Sequence, residues 1–113
     1  MKRVWIVNIG NELLGRGVIN SNGEWMASQF EEYGWEIAEI RMIADGYKAL
    51  EETWNSRPMN IDCIVFSGGL GPTPDDTTRF DVARLLGVEV TLDETLYRGI
   101  ENAMGKERFW EYK

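Results

Sequence analysis

The chain has 113 residues, with 12 Lys and Arg against 19 Asp and Glu, a formal charge of −7, no histidine and one cysteine, Cys63. That length suits a single domain with one core, and the acidic excess repels phosphate backbones and anionic surfaces, which excludes nonspecific nucleic-acid or membrane binding. One cysteine and no histidine exclude an internal disulfide, a Cys/His zinc site and a histidine general base, so acid–base chemistry falls to carboxylates, Lys, Tyr or water.

In chain order, Val4 to Ile9 is a continuous apolar run of the kind buried on both faces of a parallel sheet, and Gly10 ends it. Ser21 with Glu24 reads as a capping box, followed by Met26, Phe30 and Tyr33 on one helical face and Gly34 as the stop. Glu36 to Ile43 alternates as a second strand. Asp45 is placed to cap a helix carrying Tyr47, Leu50 and Trp54, which Pro58 stops. Ile61 to Phe66 is a third strand. Thr78 with Asp81 repeats the capping pattern before a helix with Val82, Leu85 and Leu86 that Gly87 closes. Val88 to Thr91 reads as a short fourth strand, and Asp93 caps a helix with Leu96, Ile100 and Ala103 on one face.

This βαβαβαβα order predicts an α/β fold, a three-layer αβα sandwich with a mainly parallel sheet, with the first and third strands at its centre. Ligands bind such sheets at the carboxyl ends of the strands. Three loops open there: Gly10 to Asn20, Ala44 to Gly46, and Ser67 to Thr77. The first and third far exceed the roughly two to six residues such a connection needs, which points to function. No apolar run reaches the roughly 20 residues of a membrane span, and the short run after Met1-Lys2-Arg3 has no cleavage site behind it, so a cytoplasmic location is expected.

The third loop, "SGGLGPTPDDTT", carries Gly68, Gly69 and Gly71, whose bare backbone can approach a ligand and turn N–H groups toward an anion before a helix N-terminus. It is neither a P-loop, because no Gly-Lys-Ser/Thr follows, nor a dinucleotide fingerprint, because Pro74 stands where the third glycine belongs. Read alone, it is equally a tight turn before a capped helix. Asp75 and Asp76 put carboxylates where phosphates would go, a conflict that a divalent cation such as Mg²⁺ resolves. The plainer role for one of them is to stabilise the helix N-terminus by about 0.3–1 kcal/mol. Asp45 likewise has a plain role as a helix cap, although it stands at the mouth of the same crevice.

"GGLGPTPDDTT" after a buried strand, with "GNELLGRGVINSN" after the first strand and "IADGYKAL" after the second, closely resembles the N-terminal domain of the CinA (competence/damage-inducible protein) family, within the molybdopterin-binding superfamily of MoaB and MogA. The resemblance runs to about Leu92 and implies one such domain over residues 1–113. It implies a phosphate cradle at Gly68, Gly69 and Gly71, with Ser67 before it, and an acidic metal and diphosphate residue at Asp76 with Thr78 behind it. A second aspartate, Asp45, opens the second helix. In the first loop Gly10, Asn11, Glu12 and Leu13 match the family, and Asn22 matches its asparagine before the first helix. Leu70 agrees with the CinA branch rather than with the threonine of the adenylyltransferases.

By that resemblance the chain binds a small phosphorylated ligand, a nucleotide diphosphate or molybdopterin, and hydrolyses a pyrophosphate as ADP-ribose pyrophosphatases do. Asp45 and Asp76 hold a divalent cation and Glu12 orients water. The alternatives are a molybdopterin adenylyltransferase-like role in molybdenum cofactor biosynthesis and a non-catalytic binding module; a homo-oligomer is left open. Arg16, Lys48 and Arg79 are the nearby cations, read as surface charges. Trp5, Trp25 and Trp54 are expected in packing rather than base stacking. Family domains continue with further strands and another site loop. The chain, ending in a tail with Phe109, Trp110 and Tyr112, is therefore expected to be truncated at its C-terminal end.

Overall fold

The computed structural model describes residues 1–15, 17 and 19–105; Arg16 and the aromatic tail residues Phe109, Trp110 and Tyr112 lie outside the described residues. The elements are β1 (Arg3–Ile9), a 3₁₀ turn (Asn11–Leu14), α1 (Ser21–Glu32), β2 (Glu36–Ile43), α2 (Tyr47–Asn55), β3 (Cys63–Ser67), α3 (Thr78–Leu86) and α4 (Glu94–Met104).

The three strands form a parallel sheet in the order β2-β1-β3. Val4 to Ile9 of β1 are buried, as a strand flanked on both edges and covered on both faces must be. Alternate residues feed two cores. Trp5, Val7 and Ile9 pack with Ile43 and Leu50, joined by Val82 and Leu85 of α3. Val4 and Ile6 pack with Ala27, joined by Met26 and Phe30 of α1. The sheet is thus a central layer, with α1 on one face and α2 and α3 on the other.

Two sequence expectations about the sheet are corrected. β3 is an edge strand of this sheet rather than a central one. Its apolar run records that both faces are covered, which does not require a strand on each side, and its residues are only half-buried. Val88 to Thr91 is not a strand. Among the described residues no strand pairs with it, and Val88 and Val90 stay 59% and 44% exposed, so the alternating pattern has no ladder to join.

The caps also differ in detail. Asn20, not Ser21, caps α1, its side chain accepting from Gly23 N. The hydroxyl that donates to Asp81 Oδ2, at 2.8 Å, is that of Thr77 rather than Thr78. Gly87 closes α3 in the left-handed conformation, and Asp93 caps α4 by accepting from Leu96 N. No described helix is long and apolar enough to cross a membrane.

Candidate functional site

All three predicted loops leave the same carboxyl edge of the sheet, since β1, β2 and β3 run parallel. Gly10 follows β1 and donates to Ile43 O at the end of β2. A Cβ on Gly10 would stand 2.4 Å from Glu12 Oε1, so the Glu12 carboxylate lies folded over the start of its own loop.

Asp45 does not cap α2; Gly46 occupies the cap position and offers no side chain. Asp45 instead joins the second loop to the first. Asn11 N donates to Asp45 Oδ2 at 3.3 Å and Asp45 N donates to Asn11 Oδ1 at 3.0 Å. A short residue in that tight connection is better placed to meet the neighbouring loop than the helix it precedes.

The glycine turn is built against both flanking elements. Gly68 has φ +91°, and a Cβ there would lie 2.0 Å from Ile9 O of β1. Gly69 has φ +65°, and its Cβ would lie 2.2 Å from Thr78 Oγ1 at the start of α3. The backbone closes the same contact, with Thr78 N donating to Gly69 O at 3.2 Å. Thr78 is 4% exposed, so its hydroxyl supports the turn from beneath. What these glycines avoid is protein: a side chain at Gly68 would meet Ile9 and one at Gly69 would meet Thr78.

Asp76 is a staple within the loop rather than a helix cap. Its Oδ2 accepts from Thr73 Oγ1 at 2.7 Å and from Thr73 N at 3.1 Å, and Asp76 N donates back to Thr73 O at 2.9 Å. The Thr73 hydroxyl, then the N–H groups of Thr73 and Gly71 and the charge of Arg79, hold its carboxyl below the ordinary value, so it stays ionised at neutral pH. Asp75 is exposed on the same turn.

Sequence reasoning missed a buried polar chain beside this turn. Asn8, 1% exposed inside the apolar run of β1, donates to Ser67 Oγ and accepts from Asn20 Nδ2, while Asn20 Oδ1 accepts from Gly23 N. A Cβ on Gly23 would strike both amides, which explains a glycine in the first turn of α1. Asn22, matched by resemblance to the asparagine preceding this helix, stands instead within it and is exposed. The available signal was Asn8 itself, because a lone amide in a buried strand must find partners.

The donor set bears on a cation. Asp45 and Asp76 each have one carboxylate oxygen engaged by protein donors, leaving the other to coordinate. Among the described residues no three acidic or thiol side chains gather as a metal-holding group. A cage made by the protein alone does not fit this donor set. A cation carried on phosphate, keeping its waters and touching one or two carboxylates, does fit.

With this geometry, the chain can be set beside known proteins. Residues 5–110 match the family described as "Probable molybdopterin binding domain". The chain belongs to this molybdopterin-binding domain family. Its relatives include a protein of Pyrobaculum arsenaticum, 35% identical over 94 residues, covering 83% of this chain and 36% of that one. A CinA-like protein of Akkermansia muciniphila is 35% identical over 92 residues, covering 81% of this chain and 22% of that one. The chain thus spans about a third or less of these relatives' length. The crystal structure of CinA from Thermoplasma acidophilum, described as a protein of unknown function, matches with a TM-score of 0.79 at 25% identity over 96% of this chain and 67% of that chain. The molybdopterin biosynthesis Mog protein of Mycobacterium ulcerans shares the fold, with a TM-score of 0.64 at 21% identity over 95% of this chain and 68% of that one. These matches bear out the CinA-like, molybdopterin-binding-type α/β domain expected from the three loops.

Proposed function

We propose that this molybdopterin-binding-type domain holds a small phosphorylated ligand, a nucleotide diphosphate or a pterin phosphate, at the crevice bordered by the glycine turn, and that it hydrolyses a pyrophosphate such as that of ADP-ribose. The observation that carries the reading is the turn itself. Gly68 and Gly69 take positive-φ conformations between the end of β1 and the N-terminus of α3, an arrangement of bare backbone beside a helix dipole that suits an anion.

Ligand-bound Mg²⁺ or a similar ion would be met by the free oxygens of Asp45 and Asp76 and would neutralise charge on the diphosphate. The chain's own residues supply the rest. The glycine turn and Ser67 position one phosphate, Thr78 holds that turn in place, and Gly10 and Asn11 keep the first loop over the crevice. Glu12 would orient a water and take its proton as the water oxygen bonds to phosphorus and the bridging P–O bond breaks, yielding AMP and ribose 5-phosphate. An adenylyltransferase-like role is the second reading. It is favoured by the Mog fold match and disfavoured by Leu70 in the turn.

The test is incubation of the chain with ADP-ribose and Mg²⁺, Mn²⁺ or Co²⁺, with AMP release followed by chromatography. AMP formation that stops on chelation supports the hydrolytic reading. Calorimetric binding of ADP-ribose without AMP leaves a binding module, and the absence of both binding and turnover refutes the phosphate reading.

A further inference from the structure

We infer that Asn8, buried and out of reach of any ligand, is a positioning residue that turns the Ser67 hydroxyl into an obligate donor to a phosphoryl oxygen in the crevice. The inference rests on the phosphate reading above and names a residue through which that site acts.

The first link has only one possible sense. Gly23 N–H is a donor, so the Asn20 atom facing it at 3.1 Å is the amide oxygen. The Asn20 amide nitrogen then faces Asn8 and must donate, which makes the Asn8 atom an oxygen. The Asn8 nitrogen in turn faces Ser67 Oγ and donates to it. One backbone N–H at the start of α1 therefore sets the orientation of two amides and leaves Ser67 as acceptor.

A hydroxyl carries one proton and two lone pairs. With a lone pair of Ser67 receiving the Asn8 amide, its proton must point elsewhere. Among the described residues the Ser67 hydroxyl donates to no protein acceptor. Ser67 ends β3 at the carboxyl edge, half-buried and immediately before Gly68, so its proton is available where the turn offers its backbone. A fixed donor favours an acceptor-only group such as an ionised phosphoryl oxygen over an ammonium or amide N–H. The low exposure of Asn8 keeps water from competing for the relay.

The experiment is a double-mutant cycle on the full chain, with ADP-ribose and inorganic pyrophosphate titrated by calorimetry and each variant's thermal transition recorded. Ser67→Ala should weaken binding about tenfold, Asn8→Ala up to about tenfold, and the double variant no more than Ser67→Ala alone, because Asn8 acts only by directing the Ser67 hydroxyl. Independent losses multiplying to about a hundredfold, or parent affinity in Ser67→Ala, would overturn the relay. If Asn8→Ala does not fold, Ser67→Thr decides: it keeps the hydroxyl and should bind as the parent does, whereas equal losses in Ser67→Thr and Ser67→Ala would mark a shape effect and overturn the relay. Should the parent bind neither probe, the phosphate reading fails and the relay falls with it; normal parent binding with an indifferent Ser67→Ala sinks the relay alone.

Discussion

Asp45 and Asn11 hold each other through two reciprocal hydrogen bonds, side chain to backbone in both directions, at 3.3 and 3.0 Å. The pair ties the loop after β1 to the loop after β2 across the mouth of the crevice. Asn11→Ala removes the acceptor of Asp45 N and Asp45→Ala the acceptor of Asn11 N, so each should cost about 0.5–1.5 kcal/mol and the double variant about the two together. Urea unfolding checks the cycle, and a double variant no worse than either single one would show that the two hydrogen bonds form only together. If Asp45 also meets a ligand-borne cation, Asp45→Ala alone should abolish the dependence of binding on Mg²⁺, whereas Asn11→Ala should only weaken it.

The second prediction separates the loop-staple role of Asp76 from its chemistry. Asp76→Asn should leave the global unfolding transition within about 0.5 kcal/mol of the parent, as expected of a partly exposed loop residue, while any ADP-ribose hydrolysis falls at least about tenfold. Gly71→Ala puts a Cβ 2.7 Å from Asp76 Oδ2 and should displace the carboxylate without altering its charge. Carboxyl carbon NMR should then show the Asp76 titration moving up toward the ordinary value. In the parent the folded carboxyl is depressed, so the staple's contribution is present above the unfolded carboxylate value and is lost as pH falls through the lower folded value. Unchanged titration in Gly71→Ala would show that Thr73 alone orders the loop.

A third prediction concerns the glycines, because a side chain at Gly68 or Gly69 meets protein before it meets ligand. Gly68→Ala drives a methyl into the Ile9 carbonyl, a backbone atom at 2.0 Å that cannot swing aside. It should destabilise the domain by more than about 3 kcal/mol. Gly69→Ala meets the Thr78 hydroxyl, so Gly69→Ala combined with Thr78→Gly should recover part of the loss. Circular dichroism melts decide the matter. Parent-like stability of Gly68→Ala would mean that the turn is free to move away from β1.

Much of this was legible in the sequence because it rests on local chemistry. The bounds of β2, the Asp93 cap and the Gly87 stop follow from alternation, a side-chain acceptor and a left-handed glycine, all of which act within a few residues. What was not legible depends on partners distant in the chain. The edge position of β3, the missing strand at Val88 to Thr91 and the Asn11–Asp45 bracket are settled by which segments meet across the sheet. Helix α4 shows the same limit: its apolar residues recur correctly, yet Leu96 and Ile100 are 64% and 50% exposed because periodicity offers a face without supplying a neighbour. The glycine motif marked the crevice, but only the fold shows that Asn8 and Asn20 stand behind it.

The last prediction lies at Arg41, on the face of the sheet covered by α2. Its guanidinium donates to Ser56 Oγ at 2.8 Å, to Thr53 O at 3.3 Å and to Ser56 O at 3.2 Å, so it closes the C-terminus of α2 from the neighbouring strand. It also pairs with Glu39, which accepts from the indole N–H of buried Trp5 at 3.1 Å. Arg41→Met removes the guanidinium, which lies 5.2 Å from the Trp5 ring centroid, and leaves those carbonyls to water, and should cost about 1–2 kcal/mol. The pH dependence identifies the Glu39 share. The Arg41 hydrogen bond is the largest influence on the Glu39 carboxyl and holds it below the ordinary value. Its contribution is therefore present above the unfolded carboxylate value and fades as pH falls through the lower folded one. Parent and Arg41→Met should differ more at neutral pH than at about pH 3, where the carboxylate is being protonated. Urea unfolding at both pH values measures this, and a difference independent of pH would assign the whole effect to the α2 carbonyls, with none to Glu39.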